Sequence, residues 1–294
     1  MLFLPLSLAA QEIGAVTLVE GSVRMIRGTA VFQATEGVRL RQGDILESSA
    51  PGFTQLEFGK GTIVALGAST RVYLLSHPAV RGSDKTGEKS SAAELVLLSG
   101  WLKGESPKTG TYRYNAPLLA AVTRDGTVLV HASGEGAEIF VESGSADIGE
   151  ISPEGNWRGM GTAKAGQIFI RRAGKSVTSQ ARPTPTFVES MPRPFQDTLP
   201  SRMSRFAEKR VEPKRDHEVT YSEIQPWLTI GHMWRKGFVR RFEPRLRDTA
   251  FRNALDAHMN EHPEWDPILH PEKYEPKAPP ATQKPVSPPG SQSQ

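Results

Sequence analysis

The sequence of 294 residues contains no cysteine, and this absence removes several kinds of chemistry at once. A chain without cysteine has no disulfide, no thiolate zinc site and no thiol nucleophile. Common catalytic motifs are missing too: there is no Gly-x-Ser-x-Gly elbow, P-loop, dinucleotide fingerprint or His-Glu-x-x-His. The sequence therefore predicts a protein that is not an enzyme, with no catalytic residue, no cofactor and no metal site.

The sequence also lacks a strong charge and a long hydrophobic run. Its 36 basic and 32 acidic residues give a net charge of +4, which is not the clustered charge of a nucleic-acid-binding face. Residues 1–10, MLFLPLSLAA, are apolar and end in small residues. We interpret them as a signal peptide that lacks its basic beginning, the alternative being a frayed first strand. No later run approaches the roughly 20 apolar residues that cross a bilayer, so we expect a soluble, exported protein of the periplasm.

Glycine is scarce in the second part of the chain and proline in the first. Residues 1–175 contain 24 of the 27 glycines, whereas residues 176–294 contain 17 of the 23 prolines. Glycine disfavours helix interiors and proline disfavours long sheets. Two regions with different backbone preferences are therefore expected to join near residue 176.

Residues 13–175 show short apolar alternations of period two, which is typical of half-buried strands. Turn signals such as Asp125-Gly126 separate them and supply the positive φ that tight turns need. We predict a mainly β fold, either an elongated sandwich or a β-solenoid-like stack of short strands. A small α-helical C-terminal region and a disordered tail should follow. The clearest alternations are Val23-x-Met25, Leu56-x-Phe58, Val72-x-Leu74, Leu95-x-Leu97, Val128-x-Val130, Ile139-x-Val141 and Ile168-x-Ile170.

Three units follow one another at the start of this region. They read GAVTLVEGSV over residues 14–23, LRQGDIL over residues 40–46 and LEFGKGT over residues 56–62. In order and spacing, residues 13–175 resemble the FecR-type domain of bacterial periplasmic signalling proteins. Lys60 departs from the family, in which aspartate usually precedes the glycine. Residues 115–117 and Asp125 depart from a later family segment.

The resemblance implies a β domain that senses a signal or docks a partner in the cell envelope. Family members that act in iron signalling carry a cytoplasmic helical segment and one membrane helix before this domain. The sequence shows neither, so binding of a sigma factor is not carried over. From the residues alone, Gly43 and Asp44 are expected to be structural, because glycine permits the corner and the aspartate carboxylate caps it.

The proline-rich part divides into three predicted segments. Residues 176–199 are expected to be an extended linker, residues 200–275 a small helical region, and residues 276–294 a disordered tail. Within the helical region, apolar spacing predicts helices over Thr220–Leu228, Trp234–Phe242 and Asp248–His262. Residues 77–92 are polar and are expected to be an exposed loop.

Residues 235–252 form a basic, aromatic-bearing amphipathic stretch with seven basic and two acidic residues. It can dock on the β domain with its charges in solvent, or bind an anionic membrane surface, an acidic polymer or a partner protein. The candidate surface-binding residues are Trp234, Arg235, Lys236, Arg240, Arg241 and Arg245.

Two other features leave alternatives open. His258 and His262 have the i, i+4 spacing that can chelate zinc or copper, although a solvated helix end explains them more simply. Trp157 is the tryptophan expected to be exposed, and it allows a peptidoglycan- or polysaccharide-associated protein. The favoured hypothesis is a non-enzymatic binding, sensing or scaffold module that recognises an envelope protein, with no nucleic-acid partner.

Overall fold

The computed structural model describes residues 11–76, 92–107, 110–152, 154 and 156–274. The predicted signal peptide, nearly all of the predicted polar loop and the predicted disordered tail lie outside these residues. Within them the chain forms sixteen strands and five α-helices. The strands are β1 (Glu12–Glu20), β2 (Val23–Arg27), β3 (Ala30–Ala34), β4 (Arg39–Arg41), β5 (Ile45–Ser48), β6 (Phe53–Phe58), β7 (Thr62–Leu66), β8 (Arg71–Ser76), β9 (Ala92–Ser106), β10 (Thr111–Ala116), β11 (Leu119–Ser133), β12 (Gly136–Ile151), β13 (Trp157–Lys164), β14 (Ile168–Arg172), β15 (Thr178–Gln180) and β16 (Lys214–Glu218); the helices are α1 (Pro185–Ser190), α2 (Tyr221–Leu228), α3 (His232–Phe242), α4 (Thr249–Ala257) and α5 (Asp266–Leu269).

The strands form one hydrogen-bonded sheet that folds over itself into two packed layers. The first layer runs β16-β3-β2-β5-β8-β9-β10-β11-β12-β13, and the second runs β4-β1-β6-β7-β9-β11-β12-β14-β15. Inward-facing residues of both layers, such as Met25 and Leu74 from the first and Leu56 and Val64 from the second, share one buried core. The predicted mainly β fold with C-terminal helices is confirmed, and its alternating strands face the core as their period requires.

The long strands β9, β11 and β12 belong to both layers. β9 leaves the first layer at Gly100, which has a φ of +93°. A Cβ atom there would lie 2.4 Å from Thr70 Oγ1 and 2.6 Å from Thr70 Cα. Only glycine fits this bend, because both the backbone conformation and the close approach exclude a side chain. β11 and β12 bend together at Gly126 and Gly144, which face each other in the ladder.

Gly43 and Asp44 form a corner before β5, as the sequence predicts. Gly43 has a φ of +90°, and the fully buried Asp44 carboxylate accepts the Arg41 amide at 2.8 Å. The same carboxylate binds Arg27 through two hydrogen bonds of 2.8 and 2.7 Å. This bidentate pair fixes the corner against the β2–β3 hairpin.

The segment predicted as an extended linker is instead ordered and packed along the second layer. We call residues 185–206 the strap. Thr184 caps α1 by accepting the Phe187 amide, and Phe187, Phe195 and Leu199 are buried against the outer face of the layer. The prolines set the path of this segment, but its spaced apolar residues bind it to the sheet.

Buried polar side chains of the second layer hold the strap backbone. Lys103 is 1% exposed and donates to the carbonyls of Phe195 and Asp197 at 2.8 and 2.9 Å. Glu57 is 2% exposed, and its carboxylate accepts the Ser201 hydroxyl and the Arg202 amide, both at 2.6 Å. Because buried charges are costly unless they are paired, these contacts tie the strap to the layer.

After the strap, the chain crosses the sheet edge and covers the outer face of the first layer. β16 pairs with β3, and α2 begins at a capping box in which Thr220 and Glu223 bind each other's backbone amides. Helices α2 to α5 bury Trp227, Phe238 and Leu255 against Ile26 and Ile45. Two predicted helices agree closely with α2 and α3. The third is shorter than predicted, because the chain turns into 3₁₀ turns after Ala257.

Glu57→Gln tests the attachment of the strap. Burial alone would raise the pKa of Glu57, but hydrogen bonds led by those from Ser201 and Arg202 hold it below the ordinary value of 4.5. A lowered folded pKa contributes stability that is complete above about pH 4.5 and is lost as the pH falls through the folded pKa. We expect Glu57→Gln to lower the free energy of unfolding by about 1–3 kcal/mol at pH 7, measured by urea denaturation.

The same substitution should flatten the loss of stability below pH 4.5 and speed tryptic cleavage after Arg202 and Arg205. Glu20→Gln is the matched control, because Glu20 is exposed on the same layer. Equal stability of Glu57→Gln and the native chain at pH 7 would contradict this account of the strap.

Candidate functional site

Helix α3 docks on the first layer and does not present its aromatic face to solvent. Trp234, Phe238 and Phe242 are 7%, 1% and 0% exposed, and Phe238 lies in the cluster formed with Ile26 and Ile45. Trp234 is therefore not on the exposed basic surface predicted for this stretch, because its ring packs on the sheet beside Val96 and Ile151. Of the alternatives considered for residues 235–252, the structure shows the docked helix.

Arg241, another predicted surface-binding residue, is half-buried in the same interface. Its guanidinium donates to the carbonyls of Ile26, Gly28 and Gly43 at 2.9, 2.8 and 2.6 Å. Burial lowers the pKa of Arg241, and Tyr73 and Asp44 oppose that shift. The arginine stays charged and joins the β2–β3 hairpin and the Gly43 corner to the helix.

Arg235 and Arg245 also have internal partners. Arg235 pairs with Glu264 at 2.6 Å and donates to the Glu261 carbonyl at 3.0 Å. Arg245 donates to the Val219 carbonyl at 2.9 Å and pairs with Asp248 at 2.7 Å. These two side chains therefore stabilise the helical layer.

Lys236 and Arg240 are exposed on the opposite side of α3. His232 and Met233 lie on the solvent side as well, and Met233 is 44% exposed. Of the six predicted surface-binding residues, Lys236 and Arg240 are the ones whose side chains are exposed to solvent. We call His232, Met233, Lys236 and Arg240 the basic face.

The spacing of His258 and His262 does not produce a shared metal site. His258 is exposed with Nδ1 2.8 Å from the Ala254 carbonyl, whereas His262 is fully buried with Nε2 3.1 Å from the Leu255 carbonyl. Burial lowers the pKa of His262. Among the residues that the structure describes, no group of three or more potential metal ligands comes together.

A groove opens where β9 passes between the layers. β10 pairs with β9 as far as Val96, and the second half of β11 pairs with it from Gly100 onward. Within the described ranges, residues 97–99 of β9 therefore have a neighbouring strand on one side only, namely β8. The strand ladder forks here, because one neighbour stays in the first layer and the other lies in the second.

The fork leads into a mainly apolar groove of about 380 Å³, which we call the fork groove. Residues 96–99, 117–118, 133–134 and 151–152 supply its sheet side, and the α2–α3 turn closes it with Ile230, Gly231 and Trp234. The Trp234 Nε1 atom is buried with no hydrogen-bond partner in the described part of the chain. The size and apolar walls are those of a site for a few side chains.

Leu118 forms one wall of the fork groove in an unusual backbone conformation. It follows Pro117 in the two-residue connection between β10 and β11 and has a φ of +70°. Its carbonyl accepts the Ile151 amide at 3.0 Å. A bulky residue in this region of φ costs about 1–2 kcal/mol, and such strain concentrates at binding sites.

The fork groove was not found by sequence reasoning. Its residues come from the middle of β9, from the ends of three further strands and from a helical turn that follows them in the chain by more than 70 positions. The one local signal is the tight Pro117-Leu118 turn between two strands, because it contains no glycine. Trp157, predicted to be exposed, is 36% exposed at the start of β13, with the Arg113 guanidinium 5.0 Å from its ring centroid.

Arg241→Met and Arg240→Met separate the two roles of basic residues on α3. Arg241→Met removes the donor of three carbonyls, two of them in partly buried hydrogen bonds, so we expect the free energy of unfolding to fall by about 1–3 kcal/mol. Arg240→Met should change it by no more than about 0.5 kcal/mol, because Arg240 is exposed. Urea denaturation at pH 7 measures both, and equal effects would show that α3 is not anchored as described.

Comparison with known proteins gives a limited result. No family model matches the sequence, and no curated protein matches it. No helix in the described ranges is long and apolar enough to span a bilayer. Two crystal structures, at 1.65 and 2.50 Å resolution, of a "putative anti-sigma factor" from Parabacteroides distasonis ATCC 8503 are similar to it at 12% identity and a TM-score of 0.36. The match covers 47% of this chain and 59% of the length of that protein. The FecR-type resemblance of residues 13–175 thus remains a prediction from the motifs.

Proposed function

We propose that this protein is an exported, non-enzymatic binding module of FecR type that acts in cell-envelope signalling. In this proposal the fork groove recognises an extended segment of an envelope protein. The envelope setting rests on the sequence units of residues 13–175 and on the apolar residues 1–10. The absence of catalytic motifs from the sequence favours binding over turnover.

One observation carries the proposal: beside the apolar groove, no strand in the described part of the chain pairs with residues 97–99 on the side opposite β8. An incoming extended segment can pair its main chain with these residues and place alternate side chains in a pocket. Main-chain pairing supplies affinity, and the walls formed by Ile151, Ile230 and Trp234 favour an apolar side chain.

The groove also joins both parts of the chain. Its sheet side comes from the β region, and its helical side from the α2–α3 turn. A ligand in the groove contacts both, so binding can alter how the helical layer sits on the sheet. This arrangement suits a module that senses or docks a partner.

Photocrosslinking tests this function. We expect a chain with p-benzoylphenylalanine in place of Thr229, on the exposed rim of the groove, to crosslink to a defined envelope protein in cells of the source organism. Adding Ile230→Arg should reduce the adduct at least tenfold, because a charge enters an apolar site. Val188, which is exposed on the strap, is the matched control position and should give no adduct.

The Ile230→Arg chain must also keep the urea unfolding midpoint of the native chain, so that loss of the adduct is not caused by unfolding. Thr229→Trp is a second variant, which obstructs the rim of the groove from an exposed position. Peptides selected on the purified chain should bind this variant more weakly. Adducts of equal yield at positions 188 and 229 would contradict the proposal, as would turnover of peptidoglycan by the purified chain.

A second candidate function is attachment to an anionic membrane surface through the basic face. Lys236 and Arg240 are exposed and form no ion pair within the described part of the chain, and Met233 lies beside them. Basic side chains near an anionic surface each contribute about 1 kcal/mol at low salt. This weaker surface does not require the fork groove, so the two functions can be tested separately.

Sedimentation with anionic vesicles tests the membrane function. If the basic face binds lipid, Lys236→Gln with Arg240→Gln should weaken partitioning by about 2 kcal/mol, roughly 30-fold. Lys164→Gln with Lys175→Gln removes two exposed charges from the β region and should have little effect. Recovery of the native chain wholly in the supernatant at low salt would exclude this function.

A further inference from the structure

Helix α3 covers only part of the outer face of the first layer near its β13 edge. Trp234 packs there on Val96 and Ile151. Beyond that contact, four residues of adjacent strands stand opposite one another in the ladder, and all are at least partly exposed: Arg113, Val122, Asp147 and Thr162. Tyr112 and Tyr114 lie in the core, so the row that contains Arg113 faces outward.

Trp157 lies beside this row with its indole flat on the sheet. It pairs with Ile151 at the start of β13, and the next pair along the two strands is Gly149 with Gly159. A Cβ atom on Gly149 would be 2.4, 2.4 and 2.5 Å from three atoms of the six-membered ring of Trp157. A point equally distant from three ring atoms lies on the axis through the ring centre, so the ring faces Gly149. Glycine is what allows an aromatic ring to lie so close to the backbone.

The other face of the indole is open to a ligand. Trp157 is 36% exposed, and with one face on the sheet this exposed area belongs to the opposite face and the ring edges. The ring borders a pocket of about 340 Å³ together with the outward row, a volume within the range of ligand sites. An aromatic ring fixed flat on a sheet is a platform on which another flat, weakly polar surface can stack.

Polar side chains of the row can bind hydroxyl groups above this platform. Thr162 donates its hydroxyl hydrogen to Asp147 at 2.6 Å, so the Thr162 oxygen keeps its capacity to accept. A carboxylate accepts about four hydrogen bonds, which leaves Asp147 able to bind further donors. The Arg113 guanidinium lies 5.0 Å from the Trp157 ring centroid and has several donors, while its ion pair with Glu94 is long at 3.6 Å.

A sugar ring fits this combination of groups. One face of the ring carries C–H groups that stack on an indole, and the hydroxyls around its rim both donate and accept hydrogen bonds. The site has one basic side chain, Arg113, and two acidic ones, Asp147 and Glu94, so an anionic ligand gains little. Apart from Trp157, the apolar side chains that line the described pocket are Val122 and the fully buried Ile148. Such walls are poor for the apolar side chain of a peptide.

We propose that Trp157, Arg113, Asp147 and Thr162 form a second binding site, which holds an uncharged sugar ring of a polysaccharide. The indole stacks on the C–H face of the sugar, and the three polar side chains bind its hydroxyls. This site is separate from the fork groove and does not depend on the function proposed for it. A chain bound to a polysaccharide in this way is held in place while the fork groove stays open to a protein partner.

Quenching of tryptophan fluorescence by acrylamide tests the contact, because the other four tryptophans are at most 8% exposed. Oligosaccharides of glucose, mannose and N-acetylglucosamine are titrated into the full-length chain. We expect at least one of them to bind and to protect the fluorescence from acrylamide. Trp157→Ala should weaken that binding at least tenfold, because an anchoring aromatic ring is lost. Met160→Ala is the matched control, since Met160 is 39% exposed on the same strand.

Calorimetric titration of the same sugar with further variants tests the polar groups. Asp147→Ala should weaken binding about tenfold, whereas Glu20→Ala, which removes an exposed carboxylate elsewhere, should not. Ile230→Arg in the fork groove should leave sugar binding unchanged. Three results would overturn the proposal: binding of no sugar in the panel, equal weakening by Trp157→Ala and Met160→Ala, or protection of Trp157 by peptides and not by sugars. None of these results bears on the crosslink expected at position 229.

Discussion

The structure depends on the pairing of charges that the sandwich buries on its outer faces. Lys103 and Glu57 on one face and Asp44 with Arg27 on the other cannot be left unpaired without a large cost. The C-terminal part of the chain supplies backbone groups to Lys103 and Glu57 on the first face. On the second face it supplies Arg241, which binds the Gly43 carbonyl next to Asp44. Its path over both faces is thus set by hydrogen bonding as well as by apolar burial.

Periodicity predicted much of the fold, because strand and helix periods are local properties. The alternation in segments such as Val128-x-Val130 placed residues in the shared core correctly, and the spacing of Trp234, Phe238 and Phe242 marked one face of a real helix. The prediction of an extended linker was wrong for the strap, because it rested on the prolines that dominate the composition. The packing of the strap depends instead on Phe187, Phe195 and Leu199. Burial of those side chains depends on a surface that only the folded sheet provides.

The candidate site was predicted less well, for a related reason. A basic amphipathic pattern does not predict which of its charged side chains are exposed to solvent. Arg240 and Arg241 are neighbours in sequence, yet one is exposed and the other binds three carbonyls. The fork groove depends on where strand pairing stops, at Val96 on β10 and at Gly100 on β11. Register between distant strands is not encoded in any single segment, so composition and motifs could not reveal it.

Because the C-terminal part covers both faces of the sheet, folding during synthesis depends on residues that emerge last. Contacts such as those between Gly28 and Arg241 join residues more than 200 positions apart, and such non-local pairing slows folding. As the chain emerges, residues 13–175 appear first, with the apolar outer faces that contain Phe53 and Ile26 uncovered. Until residues 176–274 follow, those apolar faces have no cover, and exposed apolar surface favours aggregation, so the β region depends on its C-terminal cover despite their different compositions.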